Sequence, residues 1–226
     1  MNIELVNRKW FLWLECVTLF IVIPLLFWMR VVSTPLILIP VFILCVPATI
    51  WLGKKHGFTL TIFWYGDRAA EREQLRKIII RFCLLAVLFF AILLAWYPDH
   101  LFDLPRNMTM FWLLLIVLYP LFSVYPQELL YRAFFFHRYR SLFKNKIYLL
   151  LLNALMFGWM HIVFHNMLAI IFTFIGAFLF ADTYRKTRSL RLTCLEHALY
   201  GNLLFTLGYG EAFLYKPLLQ LFSGLS

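Results

Sequence analysis

The feature that most restricts this chain is a succession of long apolar runs separated by short, often basic, connections. The runs cover about 10–29, 31–52, 78–96, 108–125, 147–165, 167–184 and 192–207, and a last partial one begins near 212. Most are close to the ~20 residues that an α-helix needs to cross the hydrocarbon of a bilayer. Hydrophobic residues make up 63% of the chain and charged residues 14%. A soluble domain is roughly half apolar and about a quarter charged. The runs are continuous, whereas a transmembrane barrel needs short alternating segments. The expected fold is therefore all-α, a polytopic transmembrane helix bundle of about seven to eight spans. Residues 1–226 are read as a single integral membrane domain whose motif-bearing core is about 108–207.

The formal net charge of +10 has its place in this layout. Arg8 and Lys9, the 54–77 connection, the 138–146 connection and the 185–191 connection are basic and fall on alternate sides of the runs. The connections near 30, 98–107, 166 and 208–211 hold little Lys or Arg. That asymmetry predicts a cytoplasmic N-terminus. No basic stripe is interleaved with aromatics on a soluble fold, so no nucleic-acid partner is expected. Cys16, Cys45, Cys83 and Cys194 are isolated in apolar sequence, with no C-x-x-C pair, and read as small buried side chains. In the 53–77 connection, the stretch from Asp67 to Lys77 has helical composition. It can be a surface helix that meets anionic lipid or substrate. The plainer reading, a connecting loop with ordinary positive-inside bias, is preferred.

Three polar clusters interrupt the apolar sequence. The first is Gln127-Glu128-Leu129-Leu130-Tyr131-Arg132, with Glu128 and Arg132 at i and i+4 on one helix face, able to pair. The second holds His161, His165 and Asn166; the two histidines are also at i and i+4, a spacing two imidazoles need to share a metal. The third holds Glu196, His197 and Asn202. Glu196 and His197 point about 100° apart on a helix and cannot both face one cavity, and Asn202 lies about 140° from His197. Taken singly, each cluster has a structural reading, as an interhelical ion pair or a hydrogen-bonded histidine. Together they point to one site, because ionisable groups inside membrane spans are costly and mark function by default.

These clusters resemble the motifs of the CPBP intramembrane proteases, the group that contains the CAAX prenyl endopeptidases. Residues 127–132 resemble its E-E-x-x-x-R motif, Phe157-Gly158-Trp159-Met160-His161 its F-x-x-x-H motif, and His197 with Asn202 its H-x-x-x-N motif. The resemblance covers about residues 120–205. It implies a bundle of roughly eight helices that cleaves peptide bonds in or near the membrane with a glutamate-activated water. Glu128 and His161 would then activate water, His197 with Asn202 would stabilise the oxyanion, and Arg132 would orient Glu128. A divalent metal such as zinc is implied as a cofactor, with His161, His165, His197 and Glu128 as candidate ligands. The implied partners are the lipid bilayer and a membrane-anchored protein or lipidated peptide cleaved near its C-terminus. The implied location is a bacterial inner (plasma) membrane.

Two departures separate the chain from that pattern. Gln127 stands where the family has its first glutamate, and a glutamine cannot accept a proton, so the base role passes to Glu128 or Glu196. One extra residue separates His197 from Asn202. A catalytically silent scaffold or immunity protein of the same fold is therefore the second reading. A transporter with Glu128 and the histidines as a proton relay is a weaker third, since no repeat of paired broken helices is evident.

Overall fold

The computed structural model describes residues 8–30, 47 and 66–214. The second apolar run, most of the 53–77 connection and the last partial span fall largely outside the described residues. Among those described there are helices and turns and no strand. Five helices are long and apolar enough to cross a membrane: α1 (Lys9–Trp28), α2 (Arg68–Trp96), α4 (Thr109–Leu142), α5 (Lys146–Phe164) and α6 (Met167–Thr187). Two further α-helices, the short α3 (Asp103–Asn107) and α7 (Leu190–Leu207), and two single tight turns of helix, Pro98–His100 and Gly210–Ala212, complete the described elements. The chain is an integral membrane protein of all-helical fold. The expectation of seven to eight spans meets five candidates here. The seventh run does form a helix, α7, but Arg191, Glu196 and His197 dilute its apolar character.

Four of the helices, α2, α5, α6 and α7, start at a short polar residue that caps them. The Asp67 carboxylate accepts from the N–H groups of Ala69 and Ala70 at 2.8 and 3.0 Å. Asn145, Asn166 and Ser189 cap α5, α6 and α7 in the same way. The helical composition read for 67–77 holds, while the preferred reading of the whole connection as a loop does not: residues 68–77 belong to a helix. Those residues are the first turns of α2, which continues unbroken into the span. Gly208 ends α7 at φ 127°, with the His100 carbonyl oxygen 2.0 Å from where a Cβ would stand. Only glycine fits there.

α5 and α6 pack most extensively, joined by His165 and Asn166 alone, and α7 lies against α6, α2 and α4. The core beside them is aromatic. Phe20 of α1 meets Tyr131, Phe135 and Tyr139 of α4, and Tyr131 meets Phe157 of α5. Glu15 of α1 accepts from Arg138 at 2.9 and 2.8 Å and from the Tyr139 hydroxyl at 2.9 Å, locking α1 onto α4. Apolar residues on the outer faces stay exposed, such as Leu84 and Val87 of α2 and Val117 of α4, as lipid-facing positions require.

Candidate active site

Glu128 sits where α4 changes pitch. Tyr125–Glu128 is α-helical between two wide-turn segments, Pro120–Val124 and Leu129–Phe134. Such turns shift side chains out of the ordinary helical register and are frequent at functional sites. Pro120 and Pro126 add to the irregularity, because neither donates a backbone N–H. Glu128 and Arg132 are both fully buried. Arg132 Nε lies 3.0 Å from Glu128 Oε2, a charge contact without the alignment of a hydrogen bond. Glu128 Oε1 lies 2.8 Å from His197 Nδ1.

The guanidinium is secured on its other sides. Arg132 Nη1 donates to Asn153 Oδ1 at 2.6 Å and Nη2 to the Ala177 carbonyl at 3.5 Å. Its carbon lies 5.1 Å from the Phe157 ring centre and 5.9 Å from that of Phe180, within cation–π range. Asn153 Nδ2 donates in turn to the Tyr131 carbonyl at 2.6 Å. A buried ion pair survives only when its remaining donors are met in this way.

The two imidazoles are held in a common state. His161 Nδ1 stands 2.8 Å from the Phe157 carbonyl oxygen. A carbonyl can only accept, so Nδ1 carries the proton and Nε2 the lone pair. His197 Nδ1 faces the Glu128 carboxylate, which likewise accepts and leaves the lone pair on Nε2. The His197 ring stacks on Phe180 at 4.5 Å, with the edges of Phe157 and Tyr119 against it. Neither Nε2 has a hydrogen-bond partner among the described residues.

Both histidines line a cavity of about 540 Å³ between α2, α4, α5, α6 and α7. Ser123 and Gln127 also line it, and the rest of the lining is overwhelmingly apolar. Gln127 Nε2 donates to Ser123 Oγ at 2.7 Å, while its Oε1 is buried without a partner. Glu128 does not line the cavity. The arrangement is an imidazole facing an apolar chamber, with a carboxylate behind it that is itself fixed by an arginine. Such a group can take a proton from a water in the chamber and return it.

Residues 107–203 match the family model described as type II CAAX prenyl endopeptidase Rce1-like. This stretch of the chain is similar to the CAAX endopeptidase family. The family is one of proteases, and the matched stretch contains Glu128, Arg132, His161, His197 and Asn202. No curated protein and no solved structure matches the chain significantly.

Three residues read from the sequence as site candidates stand elsewhere. α5 ends in a tighter turn, His161–Phe164, and His165 follows in the left-handed region at φ 52°. The i and i+4 face that His161 and His165 were expected to share is therefore lost. His165 is exposed and stacks on Trp28 at 5.8 Å. Asn202 turns to α4 and donates to the Ile116 carbonyl at 3.3 Å, as its angle from His197 requires. Glu196 also points away, accepting from Arg81 at 2.8 Å and from the Tyr200 hydroxyl at 3.2 Å.

The donor set does not fit the expected metal. Among the described residues no three His, Cys, Asp or Glu side chains gather as a metal-holding group. Both oxygens of Glu128 are already engaged, and His165 is turned out. The sequence reading also passed over Asn153 and Tyr119. Asn153 gave a signal, a lone amide in the apolar α5 run two turns before His161. Tyr119 gave none, since its place depends on Gly201: a Cβ there would stand 2.4 Å from the Tyr119 hydroxyl.

Proposed function

We propose that the chain is an intramembrane endopeptidase in which His197, oriented by Glu128, activates the water. The observation that carries this reading is the 2.8 Å contact between His197 Nδ1 and Glu128 Oε1, with the imidazole on the wall of an apolar cavity. Glu128 is wholly buried and spent on Arg132 and His197, so the group that meets water is the imidazole. His197 Nε2 takes a proton as the water oxygen bonds to the scissile carbonyl carbon. The imidazolium that forms is stabilised by the carboxylate behind it. The proton then passes to the amide nitrogen as the carbon–nitrogen bond breaks. His161, with its lone pair also on Nε2, is a second acceptor lining the same cavity. Gln127 is assigned no proton transfer; its amide suits binding of the substrate's main chain.

The apolar lining suits a membrane-anchored or lipid-modified segment, cut near its C-terminus as the family's description implies. A bacterial plasma membrane is the setting carried over from the family resemblance, and a cytoplasmic N-terminus is proposed from the charge pattern. The second reading, a silent scaffold that binds a partner, is favoured by Gln127 in place of the family's first glutamate. The two separate on one experiment. Membrane-protein termini are compared in cells carrying the wild type, His197→Ala or Glu128→Ala at matched expression. Endopeptidase action gives new termini with the wild type alone. Identical termini in all three, with the cellular phenotype lost in both variants, would establish the scaffold.

A further inference from the structure

A second site lies at the basic end of the bundle, away from the cavity. The ends of α4 and α6 and the starts of α5 and α7 share one face, because short links join 142 to 146 and 187 to 190. The start of α2 is tied to the same face, where the Asp67 N–H donates to the Thr187 carbonyl at 3.2 Å. There α2 and α7 enclose a groove of about 460 Å³ lined by Arg68, Glu71, Arg72, Leu75, Arg191, Leu192 and Leu195.

The groove is built as a charged floor with basic walls. Arg191 Nη2 donates to Glu71 Oε2 at 2.6 Å and Nε to Oε1 at 3.3 Å, so the one carboxylate is already balanced. Arg68 and Arg72 are exposed, one turn apart on α2, and make no ion pair among the described residues. Below the guanidiniums the lining becomes apolar. Leu75 is seven residues beyond Arg68, about 10 Å along the helix, and Leu195 is four beyond Arg191, about 6 Å. Leu195, Ile79 and Ile80 continue the exposed apolar surface toward the membrane interior. Within the groove the guanidiniums of Arg68 and Arg72 stand beside the leucine lining, while Arg76 and Lys77, which follow on α2, lie outside it; cations beside hydrocarbon match the headgroup and first acyl carbons of a phospholipid.

We infer that this groove binds one anionic phospholipid, its phosphate held by Arg68 and Arg72 and its acyl chains along Leu75 and Leu195. Phosphate is recognised by paired guanidiniums through several short N–H···O contacts, which a zwitterionic headgroup offers with weaker net attraction. The groove's walls, α2 and α7, are also walls of the cavity, so a bound lipid fixes the distance between them.

The test is native mass spectrometry of the purified full chain in neutral detergent. It is titrated with dioctanoyl phosphatidylglycerol, dioctanoyl phosphatidylcholine or glycerol 3-phosphate. The expected result is saturable binding of one phosphatidylglycerol, preferred over phosphatidylcholine. Losing a guanidinium should weaken it roughly fivefold, the equivalent of about 1 kcal/mol. Arg68→Gln/Arg72→Gln should therefore weaken it roughly 30-fold, while Lys144→Gln/Lys146→Gln, on the same face, leaves it nearly unchanged. Equal binding of phosphatidylcholine would overturn the site. Equal losses in the two double variants would reduce it to diffuse surface charge. Displacement of the lipid by equimolar glycerol 3-phosphate would make it a site for a soluble phosphate. The preference between the two lipids is read on the wild type, so the test stands even where a variant folds poorly.

Discussion

His197 Nδ1 stands 2.8 Å from Glu128 Oε1, across 69 positions of sequence and between two different helices. The contact joins the first and third polar clusters, fixes the imidazole tautomer and leaves Glu128 no exposure to the cavity. It divides the roles by position, with the carboxylate behind and the imidazole in front.

That division predicts unequal effects of substitution. His197→Ala should lower peptide cleavage by ~10²–10⁴, the usual contribution of a positioned general base. Its thermal stability in detergent should also fall, by about 1–3 kcal/mol, since Glu128 Oε1 is left buried without that partner. Cleavage of a membrane-anchored substrate by reconstituted protein, beside a melting curve, checks both. Wild-type rates in His197→Ala would remove the histidine from the chemistry.

Glu128→Ala should cost more stability, because it leaves Arg132 charged and buried. Breaking a buried pair by removing one partner costs about 3–5 kcal/mol. The variant should lose both activity and stability. Glu128→Leu/Arg132→Met should recover most of the stability and none of the cleavage, which chemical unfolding alongside an activity assay would read.

Asn153 predicts a further loss at a distance from the cavity. Its amide meets Arg132 Nη1 and the Tyr131 carbonyl, each at 2.6 Å. Asn153→Ala strands both, at about 1–3 kcal/mol for each buried group left without a partner. A lowered melting temperature is the expected readout, with a reduced rate and an unchanged KM in the molecules that remain folded.

Gly201 gives a test by rescue. A Cβ at this position would stand 2.4 Å from the Tyr119 hydroxyl. Gly201→Ala should displace Tyr119 from beside His197 and cost on the order of 1–3 kcal/mol through overpacking. Gly201→Ala/Tyr119→Leu should restore stability, since the atoms that collide are gone. Failure of the second change to help would place the strain elsewhere in α7.

Gln127→Ala should retain cleavage within about tenfold, because a neutral amide carries no proton in the proposed reaction. A loss as deep as that of His197→Ala would return the essential chemistry to position 127.

The long apolar runs made the all-helical membrane fold legible, because the thickness of a bilayer sets the length of a spanning helix. The clusters at 127–132, 161 and 197 were legible for a related reason: polar groups are costly in hydrocarbon and stand out against it. The i and i+4 spacing of Glu128 and Arg132 gave their pairing. The same rule failed for His161 and His165, since it assumes an unbroken α-helix and α5 ends in a tighter turn between them. The composition of 67–77 was helical, yet the basic charge of the connection favoured a loop; the Asp67 cap starts a helix there that runs on into the span.

From the sequence alone came the fold class, the charged pair at 128 and 132, and the family likeness of the central stretch. The tertiary structure alone decided that His197 faces the cavity while Glu128 stands behind it, that Asn153 holds Arg132, and that Asn202 and Glu196 turn away. Local periodicity fixes which face of its own helix a side chain occupies. Which neighbour that face meets depends on how helices distant in sequence pack, and here the packing is set by the irregular turns of α4 and the close approach at Gly201.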